Sequence, residues 1–215
     1  MIRIIVIDDE ALVRSGFELI LHKDPDIEVV ATADDVSALT EIDRHRPDVV
    51  LLDIRMPQID GLTILREIRR REQPPIVAIL TTFDSDEYVM QALQLGAAGF
   101  LLKDTDPRQL ATLVKTLAAG GVVLSPRVAR SVITGFAASG ADARAVDAVA
   151  QLTERERQVL VLAARGRSNP EIAESVHISV GTVKDDISAI LAKLEVGSRV
   201  EAALIAQRAG IIDAS

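Results

Sequence analysis

Ile2-Arg3-Ile4-Ile5-Val6-Ile7-Asp8-Asp9 and Asp48-Val49-Val50-Leu51-Leu52-Asp53 decide the fold. Each is a short apolar run rich in valine, isoleucine or leucine, and each ends in acid. A strand that is apolar on both faces belongs in a parallel sheet covered by helices on both sides. Three more such runs follow: IEVVAT at 27–32, PIVAILT at 75–81 and GFLLK at 99–103. Helix-like segments separate them at 11–22, 36–45, 62–71, 87–95 and 108–119. This alternation predicts βαβ units in an α/β doubly wound parallel sheet of five strands.

In such a sheet ligands collect beyond the carboxyl ends of the strands. Asp8 and Asp9 end the first strand, Asp53 the third, Thr81 the fourth and Lys103 the fifth. Taken singly, an acid after a strand is often a helix cap, as Asp9 or Asp60 would be, and a terminal lysine is often a solvated charge. Together they form one constellation. Three carboxylates sharing a small volume need a compensating cation. Oxygen ligands alone suit Mg2+ rather than zinc. A carboxylate facing that ion can attack a phosphoryl group and become an aspartyl-phosphate. Lys103 and the Thr81 hydroxyl would then hold the phosphoryl oxygens.

Composition narrows the alternatives. The 215 residues fit one large domain or two small ones, and 48% hydrophobic with 26% charged residues is the balance of a chain with a real core. The absence of cysteine excludes disulfides, thiolate zinc sites and a cysteine nucleophile. The start, MIRIIVIDDEA, turns acidic too early for a secretory leader, and no apolar run approaches the roughly 20 residues of a membrane span. A soluble, cytoplasmic protein with no membrane partner is expected. His22, His45 and His177 are scattered and suggest no metal site.

Charge divides the chain. Residues 1–123 hold 13 basic and 21 acidic side chains, the whole net charge of −8. Residues 151–215 hold 8 basic and 9 acidic ones, so nucleic-acid binding there would need a local patch rather than a bulk field. After Gly120-Gly121, SPRVARSVITGF (125–136) reads as a short amphipathic helix, and 137–150 as a tether whose alanines can extend a helix. From Leu152 onward the pattern is helical, with capping boxes at Thr153/Glu156, Ser168/Glu171 and Ser198/Glu201 and stops at Gly166 and Gly210. The expected organisation is 1–122, a helix and linker over 123–150, and an all-α unit over 151–215. Within 180–194, Val183, Ile187, Ile190, Leu191 and Leu194 share one face; Gly181, Asp185, Ser188 and Ala192 point away, with Lys184 on a flank.

The blocks IDDEALVRSG (7–16), LLDIRMPQIDG (51–61), ILTTFD (79–84) and GAAGFLLKD (96–104) resemble the receiver domain of two-component response regulators. The resemblance implies a flavodoxin-like strand order 2-1-3-4-5 and phosphorylation of Asp53 by a histidine kinase. It places Mg2+ on Asp9, Asp53 and the Arg55 backbone carbonyl, with Asp8 assisting through water. Thr81 and Phe100 match the switch positions, and Lys103 the phosphate-contacting lysine. Phe100 stands where tyrosine is commoner, so only the packing half of that switch is implied. Asp104 stands where many receivers have proline, as in the branch with a C-terminal helix-turn-helix. Phosphatases with an aspartate nucleophile resemble a different layout, with Asp-x-Asp directly after the first strand. No enzymatic role is expected beyond phosphoryl acceptance and slow hydrolysis.

LTERERQVLVLAARGRSNPEIAESVHISVGTVK (152–184) with ILAKLEVGSR (190–199) resembles the LuxR/NarL-type helix-turn-helix. That implies a scaffold helix over 171–176 and a recognition helix over 180–194 in the major groove, with dimers on paired half-sites. Ser179, Thr182 and Lys184 become DNA contacts, Ser188 a base contact, and Arg165, Arg167 and Arg199 phosphate partners. The helix over 200–209 resembles the family's dimer helix, although Val200 and Leu204 could equally complete the local core. One departure is Lys184-Asp185-Asp186, where the family usually has histidine two residues after the lysine. Carboxylates near phosphates oppose binding, yet an outward Asp185 can accept from cytosine N4, while Asp186 lies beside the packed face and can pair locally. The expected protein is a phosphorylation-controlled transcription factor that binds DNA as a homodimer. The alternative is a phospho-switched protein-interaction module whose acidic recognition helix binds DNA weakly or not at all.

Overall fold

The computed structural model describes residues 1–82, 86–125, 128–129, 132 and 142–212. The five apolar runs form β1 (Ile2–Ile7), β2 (Ile27–Ala33), β3 (Val49–Asp53), β4 (Ile76–Thr81) and β5 (Gly99–Leu102). They pair in parallel in the order β2-β1-β3-β4-β5. This is the expected doubly wound sheet, with its order reversing between β1 and β3. Successive side chains alternate between two cores. Ile5, Ile7, Val50, Leu52, Ile79 and Phe100 face one; Ile4, Val6, Val49, Leu51, Leu80 and Leu101 face the other. Each such side chain, fully buried, contributes about 1.5–3 kcal/mol of apolar stabilisation.

Helices α1 (Ala11–Leu21) and α5 (Pro107–Ala118) cover the second core through Phe17, Leu21, Leu110, Val114 and Leu117. Helices α2 (Ala38–His45), α3 (Gly61–Arg69) and α4 (Asp86–Gln94) cover the first through Ile42, Leu65, Ile68, Val89 and Leu93. The start of α3 passes so close to β3 that a Cβ on Gly61 would overlap the Asp53 carbonyl oxygen, so only glycine fits there. After α5 the chain returns beside β5, where the Phe100 amide donates to the Val123 carbonyl at 2.7 Å.

Much of the helix expected over 125–136 lies outside the described residues, although Val128 and Val132 are buried in the first core. The 137–150 stretch differs from a tether: Asp142–Ala150 form helix α6, and Val149 and Leu152 enter a third core. Residues 137–141 lie outside the described set. The remaining helices are α7 (Glu154–Ala164), α8 (Asn169–Val176), α9 (Val180–Lys193) and α10 (Arg199–Arg208). Their shared core is Val159, Leu160, Ile172, Val183, Ile190, Leu194 and Ala206. Ser168 and Pro170 start α8 two residues before the expected 171, because the cap and the proline are read together. Among the described residues no helix is long and apolar enough to cross a membrane.

Candidate functional site

The crossover connections leave every strand pointing the same way, so residues ending β1, β3, β4 and β5 meet at one edge. Lys103, one residue beyond β5, reaches back over that edge. Its Nζ lies 2.8 Å from Asp8 Oδ2 and 3.0 Å from Asp53 Oδ2. Asp8 is fully buried and Asp53 nearly so, at 6% exposure. Asp53 Oδ1 accepts weakly from the Arg55 amide at 3.4 Å. The Thr81 side chain is buried beside them at the end of β4, and its carbonyl accepts from the Lys103 amide at 2.9 Å.

Burial pushes the Asp53 carboxyl above its ordinary value, helped by the Asp8 charge and opposed by Lys103. Burial alone would lower the Lys103 ammonium, but its bonds to Asp8 and Asp53 prevail and raise it. The lysine therefore stays charged and the two carboxylates share it.

Asp8, Asp9 and Glu10 place one carboxylate oxygen each within 4.8 Å of one another. An all-oxygen set of this charge suits a hard divalent cation. Glu10 is an addition to the expected set; its Oε1 lies 3.4 Å from Lys103 Nζ. The signal was its place directly after Asp9. Beside the acids opens a cleft of about 390 Å³ lined by Asp9, Ile54, Arg55, Met56, Pro57, Asp60 and Tyr88. The Arg55 guanidinium lies over the Tyr88 ring, 5.5 Å from its centroid. Asp60 caps α3 by accepting from the Leu62 amide at 2.8 Å, as a lone acid there would. Phe100, 1% exposed, points into the first core rather than toward the cleft.

The second set of residues lies on α9. Ser179 is its N-cap: Oγ accepts from the Thr182 amide at 3.0 Å and bonds the Thr182 hydroxyl at 2.9 Å. Lys184, Asp185 and Ser188 are exposed, with the Ser188 hydroxyl donating to the Lys184 carbonyl. The paired acids divide their roles. Asp186 is 5% exposed and grips Arg155 with two bonds of 2.9 Å, so only Asp185 faces outward. One heptad on, Lys193 meets Glu156 at 2.6 Å. These two pairs bind α9 to α7; the sequence did not reveal Arg155, which lies 31 residues from its partner.

Arg199 stands apart from the expected phosphate contacts. It is buried, donating to the Arg167 and Gly120 carbonyls and, at 3.0 Å, to Asn169 Oδ1. Desolvation lowers its pKa to about 10. The Asn169 amide also donates to the Ala119 carbonyl at 2.9 Å, so this cluster joins the end of α5 to the start of α8. Arg167 pairs with Glu171 at 3.1 Å, and Arg165 is exposed. Val200 and Leu204 do not complete the core of their own helices; they pack with the first core, beside α4. Lys184 lines a cleft of about 1040 Å³ with Pro47, Asp48, Arg71 and Ala118. Ser188 and Leu191 line another, about 420 Å³, with Arg66, Arg69, Gln94 and Leu95.

Residues 4–115 match the response regulator receiver domain, and residues 150–206 the bacterial regulatory proteins of the luxR family. The chain is 35% identical to the transcriptional regulatory protein LiaR of Bacillus subtilis, over 99% of this chain and 100% of that one. It is 34% identical to the DNA-binding transcriptional activator DevR/DosR of Mycobacterium tuberculosis, over 96% and 94%. Among solved structures it resembles the response regulator ChrA of a heme-sensing two-component system, with TM-score 0.53, 34% identity and 98% of each chain covered. With an acidic, lysine-bridged pocket at one end and a capped helix-turn-helix at the other, the chain belongs to the two-component response regulators that join a receiver to a LuxR-type DNA-binding domain and regulate transcription.

Proposed function

We propose that residues 1–122 receive a phosphoryl group on Asp53 from a sensor histidine kinase in the cytoplasm, and that residues 151–215 answer by binding DNA, with 123–150 as the connection. The observation that carries this reading is the Lys103 ammonium shared between the buried Asp8 and Asp53 carboxylates. An Asp53 oxygen attacks the phosphorus of a phosphohistidine; the P–N bond breaks, its electron pair stays on the imidazole nitrogen, and that nitrogen takes up a proton. Lys103 remains to balance the oxygens that arrive, and the Thr81 hydroxyl hydrogen-bonds them. The cleft walled by Arg55, Met56 and Tyr88 gives the donor its approach.

The donor set fits Mg2+, for which Asp9, Asp53 and the Arg55 carbonyl would be ligands and Asp8 a partner through water. When bound, the ion supplies positive charge to the transferring group. Glu10 adds a further carboxylate to this rim.

Phosphorylation then shifts a population rather than building new contacts. Thr81 and Phe100 are the switch pair, and Phe100 shares a core with Val128, Val132 and Val200. That continuity supports a route from β5 to α10. Lys184 and Ser188 each line a cleft shared with receiver residues, so α9 lies against the receiver, which supports release of α9 as the output. Once released, α10 serves as a dimer helix, and Ser179, Thr182, Lys184, Asp185 and Ser188 meet DNA half-sites. Two linked readers gain affinity through effective concentration. Acetyl phosphate should label the protein once, at Asp53, and label retained by Asp53→Ala would remove this assignment.

A further inference from the structure

A buried carboxylate outside the pocket holds the same loop from behind. Asp35 lies two residues past β2 and is 3% exposed. Its Oδ2 accepts from the backbone amides of Gln58 and Ile59, each at 2.7 Å. Its neighbour Asp34 does something different, bonding the amide and hydroxyl of Ser37 at the start of α2. Two adjacent acids have thus separated: one serves its own turn, the other reaches 23 and 24 residues along the chain.

The segment that Asp35 holds runs from the phosphoacceptor to α3. At its first end the Arg55 amide touches Asp53, and the Gly61 amide closes on the Ile54 carbonyl at 2.9 Å. At its far end Asp60 caps α3. Between them Gln58 and Ile59 are fixed by Asp35 alone among the bonds described for their amides. Amides bound to a carboxylate are held by short, charge-assisted bonds, about twice as strong as neutral ones. The other side of the loop, at Arg55, Met56, Pro57 and Asp60, walls the cleft beside Asp9. A group that orients the backbone of a ligand commonly tunes the affinity of the metal it holds.

We propose that Asp35 is a positioning residue for the acidic centre: by holding Gln58 and Ile59 it fixes the 54–60 loop, and with it the Arg55 carbonyl assigned to the divalent cation. This inference rests on that assignment. The test uses the full chain, with MgCl2 titrated calorimetrically into the wild type, Asp35→Ala and Asp35→Asn, and acetyl phosphate labelling followed against Mg2+ concentration. Asp35→Ala should bind Mg2+ roughly tenfold more weakly. It should need about tenfold more Mg2+ for half-maximal labelling and reach the wild-type maximum at saturation, a split that loss of fold would not produce. Asp35→Asn, which keeps an oxygen for both amides, should recover most of the affinity. In the wild type, the Gln58 and Ile59 amides should exchange more slowly once Mg2+ is added.

Unchanged Mg2+ affinity in a folded Asp35→Ala overturns the inference, as does an Asp35→Asn no better than the alanine variant. Should Asp35→Ala not fold, wild-type exchange decides, and Gln58 and Ile59 amides indifferent to Mg2+ overturn it. A wild type that takes up no Mg2+ overturns the assignment and the inference together; normal wild-type uptake with an unaffected Asp35→Ala overturns the inference alone.

Discussion

At the scale of single residues, the centre is a problem in burying charge. Two carboxylates within 3.0 Å of one ammonium are tolerable only while the ammonium is present. Lys103→Met should therefore cost about 3 kcal/mol in urea unfolding at neutral pH, because it leaves Asp8 and Asp53 buried against each other. A loss no larger than that of an exposed lysine would show that solvent, not Lys103, carries the charge. The Asp53 carboxyl gives a second test. Its folded pKa is raised, so its contribution to stability is present below the ordinary carboxylate range and is lost as pH rises through the folded value. Asp53→Asn cannot ionise, so its thermal midpoint should gain on the wild type as pH rises above the ordinary carboxylate range. A difference that is flat or shrinks with pH would refute the raised pKa. Asp8, Asp53, Thr81 and Lys103 could be read from sequence because each ends a strand and parallel strands end together. Asp35 could not, since nothing in ATADDVSAL marks which of two adjacent acids turns inward.

At the scale of elements, helix α9 is held in place by opposite-sense ion pairs rather than by its apolar face alone. Asp186 to Arg155 and Lys193 to Glu156 span the α7–α9 contact, with Asp186 and Glu156 buried and their partners partly exposed. A double-mutant cycle over Arg155→Ala and Asp186→Ala should give a coupling of about 1–2 kcal/mol. Additive losses would mean that the bidentate geometry contributes nothing. The cap of α8 adds a pH signature. Glu171 bonds the Ser168 amide and hydroxyl and pairs with Arg167, which together hold its pKa down to about 2. Its contribution is in place above the ordinary glutamate range and is lost as pH falls toward that value. The thermal advantage of the wild type over Glu171→Gln should accordingly narrow between about pH 4.5 and pH 2. Strands, helix faces and capping boxes were legible because each is written in neighbouring residues. Helix α6 was not, because its alanine-rich stretch gains a buried face only when α10 lies beside it.

At the scale of the whole molecule, the DNA-binding unit is docked on the receiver through small surfaces that a single atom can disturb. The turn between α9 and α10 presses onto the end of α4, where a Cβ on Gly197 would overlap the Gln94 carbonyl oxygen. A few residues along, Val200 and Leu204 enter the core that holds Phe100. None of this was visible in sequence, since glycine at 197 reads as an ordinary turn residue and the apolar positions of α10 fit a local core equally well. The docked form keeps Lys184 beside Arg71 and Ser188 beside Arg66 and Arg69, and on the proposed release of α9 docking and duplex binding compete for one helix. A ligand-free protein then binds DNA only in proportion to its undocked fraction. Gly197→Val should raise that fraction without touching Asp53, the exposed face of α9 or its caps. Fluorescence anisotropy with an operator duplex should show the unphosphorylated variant binding roughly tenfold more tightly than the unphosphorylated wild type. Its radius of gyration by small-angle scattering should increase, and phosphorylation should add less affinity than it does in the wild type. An expanded variant with unchanged affinity would show that α9 is not masked by docking; a compact one with unchanged affinity would show that the turn yields without releasing the domain.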